Sequence, residues 1–164
     1  MNVGDINNLT DEVVSELSKW QGSVAEYDEA VRLIKNGELE KAEIILRHLT
    51  SKPTIAHGYY RELFKLLRDK IKLKFKNNEL ETVIEMVTEI IHLNDAMLNE
   101  MARYWSGVHK KKRTVGYFSS YSNVKVTEVK LMLKSAIKIG DKKSINLAEK
   151  TLKSIEKRIT PKIK

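Results

Sequence analysis

The sequence predicts an all-α fold, about eight helices packed as antiparallel hairpins in a single compact bundle that takes in the whole chain, 1–164. Three observations predict it. Apolar residues recur at spacings of three and four along most of the chain, the period of one buried helix face. Helix-stopping pairs, Asn36–Gly37, Asn77–Asn78 and Gly140–Asp141, separate the periodic stretches. Strict alternation of apolar and polar residues, the mark of a half-buried strand, is conspicuous only in KIKLKFK at 70–76.

The elements follow in order. Leu9, Val13, Val14 and Leu17, behind the capping pair Thr10–Asp11, predict a first helix that ends near Trp20–Gly22. A second is capped by Ser23 and carries Tyr27, Ala30, Val31 and Ile34 on one face. A third runs from about Glu38 to Leu49 with Ala42, Ile45, Leu46 and Leu49 inward, before Pro53 punctuates the chain. In residues 54–76, Leu63, Leu67, Ile71 and Phe75 repeat every four residues. On the opposite face Arg61, Lys65, Arg68, Lys72 and Lys76 form a continuous cationic ridge. Helix therefore wins over strand for KIKLKFK. Leu80, Val83, Ile84, Val87, Ile90 and Ile91 define a fifth helix, and a sixth is expected from Asp95 to about Trp105. Val129, Leu133, Ala136 and Ile137 describe a seventh that stops at Gly140–Asp141. Ile145, Ala148, Leu152, Ile155 and Ile159 describe an eighth, stopped by Pro161.

Composition narrows the function classes. At 41% hydrophobic and 32% charged residues the chain reads as a globular protein. No apolar run approaches the roughly 20 residues that span a bilayer, and the N-terminus lacks the apolar core of a signal peptide, so no membrane association and a cytoplasmic location are expected. With no cysteine there is no disulfide, thiolate metal site or cysteine nucleophile. His48, His57, His92 and His109 are scattered without metal-ligand spacing, and no nucleophile elbow or phosphate-binding glycine loop occurs. Glu81, Glu85 and Glu89 form a carboxylate stripe, expected to lie in ion-pair reach of the ridge Arg61–Lys76. No catalytic residue, cofactor or metal is therefore expected.

The net charge of +8 conceals an asymmetry. Residues 1–100 hold 13 Lys/Arg against 18 Asp/Glu, whereas 101–164 hold 17 against 4. Between Glu100 and Glu128 there is no acid at all. Within that gap lies HKKKRTVGYFSSYSN, residues 109–123, four cations followed by aromatics interleaved with glycine and serines. Phosphate recognition needs such clustered cations: Lys110, Lys111 and Lys112 act as point charges, and Arg113 can fork onto a phosphate. Tyr117, Phe118 and Tyr121 offer faces on which unpaired bases stack, and Lys130 and Lys134 extend the cationic track onto the following helix. Lys150, Lys153 and Lys157 make a similar stripe further on. The competing readings of the segment are a solvated structural loop and a contact with an acidic protein surface.

Two family resemblances bear on this. Residues 23–53, with Ala30, Gly37, Ala42, the Leu46/Leu49 pair and Pro53 at matching spacings, resemble a tetratricopeptide-type helical hairpin. NNELETVIEMVTEI (77–90) and IGDKKSINLAEKTL (139–152) repeat its outline, with Val83 and Ile145 where that family has alanine. This resemblance implies docking of a protein partner through the N-terminal hairpins. HLNDAMLNEMARYW followed by KKRTVGYFSSYS, residues 92–122, is similar to part of the C-terminal domain of the primase large subunit, of the cluster-free accessory type. Tyr104, Trp105, Lys112, Arg113 and Tyr117 are the matching positions; the iron–sulfur cysteines of that family are absent. This second resemblance implies a helical domain that helps to bind template. The expected function is a non-catalytic accessory protein of a nucleic-acid-handling complex, gripping DNA or RNA, single-stranded in preference, through the basic-aromatic loop. The alternative is an adaptor that binds protein alone.

Overall fold

The computed structural model describes residues 22–159. The fold is all-α: six α-helices and one 3₁₀ helix, with no strand among the described residues. The expected first helix lies, save for Gly22, outside them. The chain divides after Ser51 into two compact units.

The first unit holds a helical hairpin of α1 (22–35) and α2 (Leu39–Leu49). Ala30 and Leu33 of α1 and Ala42 and Leu46 of α2 are buried, the small residues among them allowing close approach of the helix backbones. Glu26 and His48 face each other across the hairpin at 3.8 Å.

The second unit comprises α3 (His57–Lys76), α4 (Leu80–His109), the 3₁₀ helix η1 (Val115–Tyr121), α5 (Val126–Ile139) and α6 (Lys142–Ile159). α4 is its axis, packing against α3, α5 and η1, while α5 also packs on α6 and α3. The core interleaves Tyr60, Leu63, Phe64, Leu67 and Ile71 of α3 with Val83, Val87, Ile90 and Met97 of α4 and Val129, Met132 and Ala136 of α5. KIKLKFK is helical, as its upstream period requires. Ile71 is buried and Leu73 faces solvent, which a half-buried strand would not permit.

Two expectations are corrected. The fifth and sixth helices are one, the 30-residue α4. Asn94–Asp95 reads as a break because Asn favours turns, yet neither Gly nor Pro interrupts the chain there. The buried face runs on through Ile90, Ile91, Asn94, Met97, Leu98 and Met101. Asn94 is itself buried, its Oδ1 accepting the backbone N–H of Asn123 at 2.9 Å. In α5 the inward face is rotated from the expected stripe. Met132 and Ser135 are buried beside Val129 and Ala136, and Ile137 is exposed.

The turns behind the weak internal repeat share one geometry. Gly37, Asn78 and Gly140 all have positive φ. Each donates its N–H to the carbonyl three residues back (Ile34, Phe75, Ile137). The following acid, Glu38, Glu79 or Asp141, donates to the carbonyl five back, the Schellman pattern that satisfies the last carbonyls of a helix. Each acid then accepts the first bond of the next helix, from Ala42, Val83 or Ile145. The repeat is thus a repeated stop-and-start signal of the backbone.

Three members of the cationic ridge of α3 have partners outside the carboxylate stripe. Lys65 and Lys72 pair with Glu62 and Asp69 one turn before them on α3, at 3.1 and 3.7 Å. Arg68, with 14% of its side chain exposed, pairs at 3.0 Å with Glu128 of α5, whose side chain is 1% exposed. Glu128 also accepts the N–H of Lys125 (2.7 Å) and the hydroxyl of Thr127 (3.2 Å), and Arg68 donates to the Asn123 carbonyl. A buried carboxylate stripped of its cation is costly. Arg68→Ala is expected to lower the unfolding free energy by about 3–5 kcal/mol. Urea unfolding at neutral pH measures it, and the double variant Arg68→Met/Glu128→Met should lose less than the single change.

Candidate nucleic-acid interface

The basic-aromatic segment starts inside α4, whose last residue is His109. Lys110 ends the helix in the left-handed conformation, φ 49°, and reverses the chain. Ser106 then pins the returning chain: its Oγ accepts the Arg113 N–H at 2.7 Å and donates to the Arg113 carbonyl at 3.4 Å. Fixed at both ends, the short loop presents Lys110, Lys111 and Lys112 to solvent. Arg113 is half-buried, its guanidinium 4.5 Å from the centroid of the Tyr117 ring. A cation held on an aromatic face keeps most of its N–H groups in a fixed plane, free to donate outward.

η1 follows from Thr114. The three aromatics of the segment separate here. Phe118 is 5% exposed and anchors the 3₁₀ helix, leaving no face for a base. Tyr117 is 62% exposed and Tyr121 is also exposed, the latter tilted against His57 with centroids 5.2 Å apart. Trp105 stacks on His109 at 5.5 Å with an interplanar angle of 21°. Trp105, His109, Arg113, Tyr117, Phe118 and Tyr121 together line a cleft of ≈ 230 Å³. Loop cations and aromatic faces are therefore neighbours in space as in sequence.

Lys130 and Lys134 lie elsewhere. Both are exposed on α5, which starts near the middle of α4, where Asn94 meets Asn123. From there α5 runs away from the loop, and Lys138 near its end donates to Asn78 Oδ1 at the opposite end of α4 (2.6 Å). From Asn94 to His109 is about 22 Å of helix axis at 1.5 Å per residue. α6 returns toward the loop instead. Arg158 near its end donates to the Ser119 carbonyl of η1 at 3.4 Å. α4, η1 and α6 thereby enclose a second cleft of ≈ 730 Å³, with Lys150, Lys153, Lys157 and Arg158 on its α6 wall. The signal for this wall was the lysine stripe of α6; its apposition to η1 is a product of the tertiary fold.

Comparison with protein-family models, with curated proteins and with solved structures gave no match. Among the described residues no three His, Asp or Glu side chains converge as metal ligands, and no helix is long and apolar enough to cross a membrane. The stripe Glu85–Glu89 borders a shallow groove with His92 and Leu93 on α4.

Asp95 is the one acid of α4 in the larger cleft. Although Asp95 is exposed, partial loss of hydration against the cleft pushes its carboxyl above the usual aspartate value, against the opposing pull of His92, Lys150 and Arg158. The folded state thus holds this proton more tightly than the unfolded chain, and ionised Asp95 opposes folding at neutral pH. The cost disappears as pH falls through the raised value. Asp95→Asn is therefore expected to raise the melting temperature at pH 7. Its advantage over wild type should shrink in acid, which thermal melts across a pH series would follow.

Proposed function

We propose that this chain is a non-catalytic accessory protein of a nucleic-acid-handling complex, one that holds the backbone of DNA or RNA with its basic-aromatic loop. The observation that carries the reading is the pairing of two chemistries within one short segment. Three exposed lysines project from a loop pinned at Ser106, and beside them Arg113 lies on the face of exposed Tyr117. The absence of any acid between Glu100 and Glu128 leaves their field uncompensated along the sequence. Phosphates are matched by Lys110, Lys111, Lys112 and Arg113, and unpaired bases by the free faces of Tyr117 and Tyr121. Single strands are favoured because only they offer base faces. Lys130 and Lys134 act as a separate patch for longer ligands. The resemblance of residues 92–122 to the primase large subunit agrees with a role beside a template-handling enzyme.

A second reading has its own support. Ile44 of α2 is 70% exposed and Leu39 is also exposed. This suits a tetratricopeptide-like hairpin that docks a protein partner, either alongside nucleic-acid binding or in place of it.

Fluorescence anisotropy of labelled oligonucleotides over a salt series separates the two. For the wild type, log K is expected to fall linearly with log salt. Changing Lys110, Lys111, Lys112 and Arg113 together to alanine should reduce the slope by about 2.8, at about 0.7 per phosphate on a single strand. Tyr117→Ala should instead lower affinity by about 1–3 kcal/mol with little change of slope. Wild-type protein that binds no oligonucleotide would leave the adaptor reading in possession.

A further inference from the structure

The larger cleft has a polarity of its own. Cations predominate on its α6 wall: Lys150, Lys153 and Lys157 are all exposed along one face of α6, with a single acid, the exposed Glu149, beside Lys150. From Lys150 to Lys157 is seven residue steps, about 10 Å of helix axis. Its floor is of a different kind. Leu98 supplies a buried apolar surface and Ser122 a buried Oγ that has no hydrogen-bond partner, while Asp95, exposed on α4, adds an acceptor beside them. A buried hydroxyl without a partner is uncommon in a folded protein.

This division selects among anions. A lone phosphate or sulfate on the α4 side of the cleft would meet the Asp95 carboxylate and be repelled. A ligand that keeps its phosphates at the rim and turns N–H donors and flat apolar faces inward satisfies both layers. An unpaired nucleic-acid strand has that arrangement, with backbone charge on one side and base edges on the other. Duplex DNA or RNA does not, since its base edges are engaged with each other. The volume, ≈ 730 Å³, falls in the range of sites for small molecules and so suits a short run of nucleotides. η1 separates this cleft from the loop, and its seven residues make about 14 Å at a 3₁₀ rise.

We infer that the cleft between α4, η1 and α6 is a second binding site for single-stranded nucleic acid, which takes bases inward and phosphates along Lys150, Lys153 and Lys157. It rests on the proposed function for the identity of the ligand class and adds to it a second segment of the strand, beyond η1. The strand's path crosses η1, so the full footprint exceeds what the loop alone can hold.

The test uses the full chain, single-stranded oligonucleotides of about 4 and about 16 nucleotides, which bracket the usual site sizes, and a duplex of the longer sequence. The variant changes Lys150, Lys153 and Lys157 to alanine; a companion changes them to arginine, so that charge is kept and any loss through misfolding is exposed. On the long single strand the alanine variant is expected to lose about 2 from the salt slope, three phosphates at about 0.7 each. The arginine variant should keep the wild-type slope, and the duplex should show no difference among the three proteins. An alanine variant with the wild-type slope on the long strand would overturn this inference and leave the loop reading intact. An equal loss on the duplex would also overturn it, because base-inward binding would then be excluded. If the alanine variant loses binding while the loop variant does not, the cleft site stands and the loop reading falls. Wild-type protein that binds none of these ligands defeats both.

Discussion

The second unit depends on how residues 110–125 are brought back onto the helices. This segment has few apolar side chains to bury, so the hydrophobic effect alone holds it weakly. Polar clamps supply what is missing. The backbone of Asn123 is gripped on both sides, its N–H by Asn94 Oδ1 and its carbonyl by Arg68. Arg68 in turn holds Glu128, which caps the first turn of α5 through the Lys125 N–H. One constellation thereby ties α3, α4, the returning segment and α5 together. Phe118 adds the single large apolar anchor of η1. Such polar clamps are directional, and they fix the register of the segment more narrowly than apolar packing would.

Much of this fold could be read from the sequence, because helix period and helix stops are local. The competition between helix and strand at 70–76 was decided by the longer window, in which Leu63, Leu67 and Ile71 keep a period that alternation cannot. The stops at Gly37, Asn78 and Gly140 were legible for the same reason: a positive φ favours Gly and Asn whatever surrounds it. What failed was tertiary. Asn94 looks like a helix breaker until its partner, the backbone of a residue 29 positions on, is known. Arg68 sits in the middle of a cationic ridge, and no local rule distinguishes it from Lys65 or Lys72. The covered face of α5 departs from its most apolar stripe because the crossing of α5 with α4 and α6 sets which side is covered, and it takes in Met132 and Ser135 rather than the more apolar Ile137.

The candidate site divides in the same way. Clustering of cations and aromatics within 109–123 is a one-dimensional fact, and the loop with its Arg113–Tyr117 contact follows from it directly. Which of the aromatics is spent on anchoring η1 is a packing outcome, and it fell to Phe118, the most apolar of the three. The continuity between segments of the cationic surface is also tertiary. Helix direction carries the lysines of α5 away from the loop and those of α6 back toward it, so two stripes that look equivalent on paper stand in different surroundings.

Glu128 has one more consequence. It is the sole acid between Glu100 and Asp141, and the fold withdraws it from solvent. A mobile counterion drifting past that stretch therefore meets cations with no interspersed negative charge, although the sequence holds one. The carboxylate that fastens the segment internally is removed from its exterior field by the same act, and half of a surface ion pair is traded for a cleaner electrostatic signature.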